Sequence, residues 1–364
     1  MKTLSLYIHV PFCTRRCSYC SFYHVPAARE REHAFVDALV DEIAVALAEI
    51  GRVSLRTVFV GGGTPTVLEP HEWERVLAAI APFVPAGGVE EFTVEMNPED
   101  VDQGLVRFLH GLGVNRASVG IQSMHEVGQK VLKRCTPDVN ASAIDVVQKT
   151  WDNVSFDVLL GVPKTDLADL RETLRILLEK SPRHLSVYGL EPGGDLGEEV
   201  ERFFRAVDPD RVADEYLETC GLVAAAGFGH YEVSNFARPG FDSLHNRVYW
   251  DGGDYLGVGP AAHSSIGGRR FANAPSIDAY VSRRGPEHLA ARLFDDGGDA
   301  RLEEMMLALR TDRGIARTAC DPRTADELVV EGLATVDAGR IRLTDHGYLV
   351  LNDVVLRLLA ATPC

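Results

Sequence analysis

The stretch SLYIHVPFCTRRCSYC, residues 5–20, joins a β-branched run to three cysteines, and the rest of the chain is read outward from it. Ser5 to Val10 has the composition of a short buried strand, and Pro11, without a backbone donor, ends it. Cys13, Cys17 and Cys20 follow at once on a single loop. Runs of the same kind recur at Thr57 to Val60, Phe92 to Met96, Ala117 to Ile121, Val154 to Leu159 and Leu185 to Leu190, with a seventh candidate at Gly229 to Val233. Amphipathic stretches lie between them. In Glu30 to Ile50, for example, Phe35, Leu39, Ile43, Leu47 and Ile50 return every three or four residues, which predicts a helix. Strands alternating with helices build a parallel sheet with right-handed crossovers. Six strands fall short of the eight of a complete TIM barrel, so the fold class is α/β with a partial (β/α)6-type barrel.

The barrel is expected over 1–238. An irregular Gly-, Asn- and aromatic-rich segment is expected over 239–294, and a smaller α+β domain over 295–364. In the last part Ala300 to Arg310 and Pro322 to Gly332 read as helices, Thr335 to Thr344 as a hairpin turning at Ala338-Gly339, and Asp345 to Ala360 as a closing helix. That order resembles a winged helix. Its 8 Lys+Arg against 13 Asp+Glu (295–364) disfavour DNA reading.

The whole chain of 364 residues carries 53 acidic and 37 basic side chains, a formal charge of −16 that repels nucleic acid and anionic lipid. No window approaches the ~18 uncharged apolar residues of a membrane span. Seven cysteines, an odd number, make a poor disulfide framework, and no export signal precedes them, so the reducing cytoplasm is expected.

Three thiols within eight residues are too few for a structural zinc site, which takes four ligands, and no second C-x2-C pair occurs. Arg15 and Arg16 between them argue against a buried apolar role. Three thiolates suit an iron–sulfur cluster with one iron left open. Gly61-Gly62-Gly63-Thr64-Pro65 at the end of the second strand leaves a bare backbone that a ligand can approach. In F-T-V-E-M, Thr93 and Glu95 share one strand face, and a buried Glu95 requires a cationic partner, either a side chain or a bound ammonium group. Alternation likewise groups Ser118, Gly120 and Gln122, and Ser155 with Asp157, toward strand ends, the rim where barrel enzymes do their chemistry.

With C-x3-C-x2-C after the first strand and an intact G-G-G-T-P, the sequence resembles the radical S-adenosylmethionine superfamily. The resemblance implies a barrel of that type, a 4Fe-4S cluster held by Cys13, Cys17 and Cys20, and S-adenosylmethionine on the open iron. In the coproporphyrinogen-oxidase-like branch, matching residues contact S-adenosylmethionine: Tyr7, Tyr19, Gly62, Gly63, Thr64, Glu95, Gln122, Arg134 and Asp157.

The segment His245-Asn246-Arg247-Val248-Tyr249-Trp250 resembles the H-N-x-x-Y-W signature of the HemW-like heme chaperones of that branch. It implies heme as cargo, with His245, Asn246, Tyr249 and Trp250 at its site. Imidazole is a common axial ligand of heme iron, and aromatic rings pack on the macrocycle. His263 is a second candidate ligand, and His9 is expected to support the cysteine loop. Heme delivery to acceptor hemoproteins and a homodimer follow from the same resemblance.

The oxidases of the branch carry a fourth cysteine two residues past the third and a long N-terminal extension. Here Phe22 takes that place and twelve residues precede Cys13, so coproporphyrinogen oxidation is not expected. Many HemW-like chains have an acidic residue where this one has Ser21. A radical enzyme of the C-methyltransferase kind is the alternative, one that would not require H-N-x-x-Y-W. Cys135, Cys220, Cys320 and Cys364 follow no ligand spacing.

Overall fold

In the computed structural model, which describes residues 2–190, 197–295 and 297–360, six strands stand parallel in chain order. They are β1 (Lys2–Val10), β2 (Val53–Gly62), β3 (Glu91–Met96), β4 (Arg116–Gln122), β5 (Val154–Leu160) and β6 (His184–Gly189). The first five contain the runs that predict them, the sixth ends at Gly189, one residue short of the predicted Leu190, and helices connect them on the outside of a partial barrel. Helix Arg29–Ile50 buries Phe35, Val36, Leu39, Ile43 and Leu47 completely. At about 1.5–3 kcal/mol for each large apolar side chain removed from water, that face alone supplies on the order of 10 kcal/mol of gross driving force. One face of β1 is apolar and fully buried, Leu4, Leu6, Ile8 and Val10, while Ser5, Tyr7 and His9 alternate on the other.

Beyond β6 the parallel pattern stops. The seventh candidate is a strand, β7 (Gly229–Glu232), but it reaches the sheet through β8 (Asn235–Ala237), which lies antiparallel to both β6 and β7. It is half of a hairpin and no seventh β/α unit, because the connection between β7 and β8 is too short to cross over.

The segment 239–294 is not irregular. Helix Leu244–Trp250 is followed by β9 (Tyr255–Val258), which pairs parallel with the free edge of β1. Then β10 (His263–Ile266), β11 (Arg269–Ala272) and β12 (Leu293–Phe294) extend that edge antiparallel, giving a sheet of twelve strands. The sheet therefore continues across the expected boundary at 238/239. These strands have four residues or fewer, too short for periodicity to register. The readable sign was the Gly267-Gly268 pair, which turns β10 into β11 with φ of 58° and 76°, values that favour glycine.

In the C-terminal part, helices Ala300–Leu309 and Pro322–Val330 pack with a small antiparallel sheet of β13 (Ile315–Ala316), β14 (Ala334–Asp337) and β15 (Arg340–Leu343). The hairpin turns at Ala338-Gly339 as the sequence indicates, both at positive φ. The closing helix is two helices, Asp345–Leu349 and Leu351–Ala360, broken where Val350 leaves the helical region at φ −120° and ψ 27°. The break lets Tyr348 lie against His230 of the barrel while Val354, Val355 and Leu358 fill the core of the C-terminal part. Among the described residues no helix is long and apolar enough to cross a membrane.

Candidate functional site

The cysteine loop leaves β1 and is fastened at its return, where Val25 N–H donates to the Pro11 carbonyl at 2.7 Å and Ala27 N–H to the Cys13 carbonyl at 3.0 Å. His9 supports it from below, as expected. Its Nε2–H donates to the Tyr23 carbonyl at 3.0 Å, which leaves Nδ1 to accept from the Tyr7 hydroxyl at 3.0 Å. All three thiols open onto one cavity of about 590 Å³ inside the sheet. Burial pushes the Cys13 and Cys20 thiols up, Cys20 to about 11, so neither is a thiolate until a cation arrives. Loading a metal cluster there must release protons.

The glycine run is required first by the protein itself. A Cβ on Gly61 would lie 2.5 Å from Glu95 Oε2, one on Gly62 2.5 Å from the His9 ring, and one on Gly63 2.6 Å from the Phe12 carbonyl oxygen. Gly62 also sits at φ 103°. With no side chains in the way, Gly63 N–H donates to Val10 O and Thr64 N–H to Phe12 O, so the shelf is bonded directly to the chain that carries the thiols. Thr64 Oγ1 donates to Cys13 Sγ at 3.5 Å.

Glu95 accepts from the Gly62 N–H at 2.9 Å and has no cation within ion-pair distance among the described residues. Burial, and then the neighbouring Asp157, push its carboxyl up to about 7. Burial raises Asp157 to about 6, although Ser118 donates to it at 3.0 Å and Ser155 at 3.4 Å. Both carboxyls lie in one cavity and are held above their usual range.

Arg134 ties the wall together. Its Nη1 donates to Asn97 Oδ1 at 2.7 Å and lies 3.5 Å from Cys17 Sγ, while Nη2 donates to the Gly120 carbonyl at 2.6 Å. Asn97 Nδ2 in turn donates to Thr64 Oγ1 at 2.8 Å. The resulting chain Arg134–Asn97–Thr64–Cys13 links two of the three thiols to β3 and β4. Asn97 was missed in the sequence, yet alternation along β3 put Thr93, Glu95 and Asn97 on one face. Gln122 closes the wall at φ 68°, left-handed backbone beside a register shift between β4 and β5. Tyr7, Tyr19, Gly62, Gly63, Thr64, Glu95, Gln122, Arg134 and Asp157 all line the cavity with Cys13, Cys17 and Cys20. Buried Arg116, half-buried Phe59 and exposed Tyr188, which sequence reasoning left aside, also line it.

The H-N-x-x-Y-W segment behaves differently. Ser243 caps helix Leu244–Trp250, and the Glu91 carboxylate accepts from the N–H groups of Leu244 (2.9 Å) and His245 (3.0 Å) at its positive end. His245, expected as a heme contact, is completely buried and has neither ring nitrogen free. Nδ1 bonds Thr57 Oγ1 at 2.7 Å, the Thr57 hydroxyl donates to Ser5 Oγ at 2.7 Å, and Nε2 bonds the Tyr249 hydroxyl at 2.7 Å. Burial, then Arg116, hold the imidazole down at about 3, so it is neutral.

Trp250, also expected at the heme site, does not line the cavity. It lies under the Arg310 guanidinium, 4.0 Å from ring centroid to Cζ, in contact with the C-terminal part. A helix shows different faces at successive residues, so adjacency in the motif does not make Tyr249 and Trp250 neighbours on one surface. His245, Asn246 and Tyr249 do line the cavity. His263 is exposed on β10. Cys135, whose thiol donates to Asn140, and Cys220 and Cys320 are free and apart from the cavity, and Cys364 lies outside the described residues.

The residues present fit a 4Fe-4S cluster and S-adenosylmethionine. Three thiols face one cavity, a carboxylate without a cation stands beside them, and the glycine shelf keeps the backbone open between. Comparison with known proteins agrees. A sequence model of the Radical SAM superfamily matches residues 7–177. Heme chaperone HemW of Lactococcus lactis is 30% identical over 98% of this chain and 98% of its own. Heme chaperone HemW of Mycobacterium tuberculosis is 32% identical over 98% and 95%. Radical S-adenosyl methionine domain-containing protein 1, mitochondrial, of Mus musculus is 33% identical over 98% and 87%. Among solved structures, coproporphyrinogen III oxidase (HemN) of Escherichia coli superposes with a TM-score of 0.82 over 98% of this chain and 90% of that one, at 22% identity, a likeness of fold.

Proposed function

Because the chain belongs to the HemW-like family of the radical SAM superfamily, we propose that it is a cytoplasmic heme chaperone that holds a 4Fe-4S cluster and S-adenosylmethionine in the barrel cavity and passes heme to acceptor hemoproteins. The observation that carries the cofactor part is Glu95, a carboxyl inside the cavity with no ion-paired cation among the described residues, in one cavity with three thiols free of disulfides. Cys13, Cys17 and Cys20 would hold the cluster, which with S-adenosylmethionine supplies one-electron chemistry. Glu95 would take the ammonium group, Gly62 and Gly63 would keep the backbone clear of it, and Arg134 with Asn97 would keep the Cys17 and Cys13 sides of the loop in place. Tyr7, Tyr19, Thr64, Gln122 and Asp157 would complete the walls around the ligand.

The heme part rests on the H-N-x-x-Y-W segment and on relatives named for heme. It is tested by titrating heme anaerobically into cluster-reconstituted protein: one saturable heme per chain is expected, and no saturable binding would refute it. Delivery is tested by transfer from the loaded protein to an apo-hemoprotein, and the homodimer by light scattering with and without the cluster.

One observation favours a second reading, a radical enzyme. The cavity continues past the S-adenosylmethionine residues to Phe59, Tyr188, Asn246 and Tyr249, room that a second small molecule could fill. Reductant-dependent release of 5′-deoxyadenosine, with turnover of an added substrate, would establish it.

A further inference from the structure

With both nitrogens of His245 engaged, heme requires another contact, and the outer side of the cysteine loop offers one. A groove of about 460 Å³ runs there, bordered by Cys13 and Cys20 and lined by Arg15, Arg16, Phe22, Tyr23 and His24. It adjoins the barrel cavity and shares Cys13, Arg15, Cys20, Ser21 and Phe22 with it, whereas Arg16, Tyr23 and His24 border the groove alone and Cys17 borders only the cavity.

Four features of the groove match one ligand. His24 Nδ1–H donates to the Phe22 carbonyl at 2.8 Å, so its lone pair is on Nε2, which has no partner among the described residues. That is the arrangement of a metal-binding histidine, one ring N–H held by a carbonyl and the other nitrogen left for the ion. Phe22 is 69% exposed, a large apolar ring kept in water at the lip of the groove. Arg15 and Arg16 are exposed and form no ion pair with the described residues. Finally, no carboxylate lines the groove, in a chain whose net charge is −16. A flat apolar ligand with a coordinating metal at its centre and two carboxylates at its edge uses every one of these groups.

We infer that this outer groove is the heme-docking site: His24 Nε2 donates its lone pair to the heme iron, Phe22 packs on the macrocycle, and Arg15 and Arg16 pair with the two propionates. No electron changes hands in this step, since imidazole replaces a water or solvent ligand on the iron. The local cationic pair also steers a dianion toward an otherwise repelling surface. The inference rests on the proposal that the chain binds heme, and names where.

The test uses cluster-loaded full-length protein and ferric heme as the probe, with heme dimethyl ester, which lacks free carboxylates, beside it. His24→Ala is expected to weaken heme at least ~10-fold and to remove the spectrum of imidazole-ligated ferric heme, and added imidazole to restore an imidazole-ligated spectrum. Arg15→Glu with Arg16→Glu is expected to weaken heme but not its dimethyl ester, and the wild type to prefer heme to the ester. Iron and sulfide content is measured in each variant, because His24 Nδ1 lies 3.9 Å from Cys20 Sγ. A variant that has lost its cluster is replaced by His24→Gln. Heme bound equally by wild type and both sets of variants would overturn this site while leaving heme binding intact. No saturable heme in the wild type would overturn heme binding itself, and this site with it.

Discussion

At one end of the barrel cavity Glu95 has no ion-paired cation among the described residues and three thiols have only weak contacts, while at the other end His245 has a partner on each ring nitrogen and Glu91 accepts from the Leu244 and His245 N–H groups of its helix. Both regions are polar groups placed inside an apolar fold, where an unmet charge or hydrogen bond costs several kcal/mol. The protein leaves the Glu95 charge without an ion-pair partner among the described residues at the cysteine end and meets the hydrogen-bonding needs of both His245 ring nitrogens at the other. Polar groups left without partners mark where a ligand binds, and polar groups fully partnered mark where the fold is locked. By this criterion the proposed ligand site lies at the cysteine and glycine motifs. His245 fills the same structural role in the barrel as a core side chain, with hydrogen bonds in place of methyl groups.

The contrast is open to direct attack by mutation. Replacing any of Cys13, Cys17 or Cys20 by Ala should bring cluster iron from about four per chain to nearly none while the melting temperature of the apoprotein stays within ~2 °C, measured by iron analysis and calorimetry. His245→Ala should do the reverse. It should lose about 2–4 kcal/mol of stability, from a buried cavity and the stranded hydroxyls of Thr57 and Tyr249, with cluster loading unchanged in denaturant titrations and iron analysis.

Glu95→Gln should weaken S-adenosylmethionine by about 10- to 100-fold in calorimetric titration, the scale of one charge-assisted contact. It should also alter the pH dependence in a defined direction. The folded protein holds the Glu95 proton up to about 7, above the ordinary value of 4.5. The folded state therefore binds more protons than the unfolded one in that window, and the free wild type loses stability as pH rises from about 4.5 to about 7. Glu95→Gln should be the more stable protein above pH 7, and the advantage should vanish near pH 4. Binding of a cation lowers the Glu95 value, so S-adenosylmethionine affinity in the wild type should increase with pH across the same interval. The smallest effect is expected from Trp250→Phe, less than about 1 kcal/mol of stability through the Arg310 contact and none on ligand binding.

The same contrast explains what could be read from the sequence. The parallel strands were legible because each is a run of six to ten residues with apolar interiors, and the cysteine loop because three thiols at fixed spacing have few structural uses. Glu95 was legible by alternation, and its need for a cation by burial. The short strands β9 to β12 were not, since four residues carry no period. Nor was the inward lock of His245: a histidine beside aromatic residues in a string of letters gives no indication of whether Thr57, 188 positions earlier, occupies its Nδ1. Phe22 was read as the residue in place of a fourth cysteine. Its exposure beside His24, Arg15 and Arg16 emerged only from the fold.

The most direct measurement is an anaerobic heme titration of cluster-loaded wild type and His245→Ala at a temperature where both are folded, with the melting temperature of each recorded alongside. One saturable heme in both proteins, with a melting temperature lowered in the variant, is the predicted result. Loss of heme from His245→Ala at an unchanged melting temperature would contradict it, and would mark the imidazole as a ligand that leaves its buried partners to reach the iron.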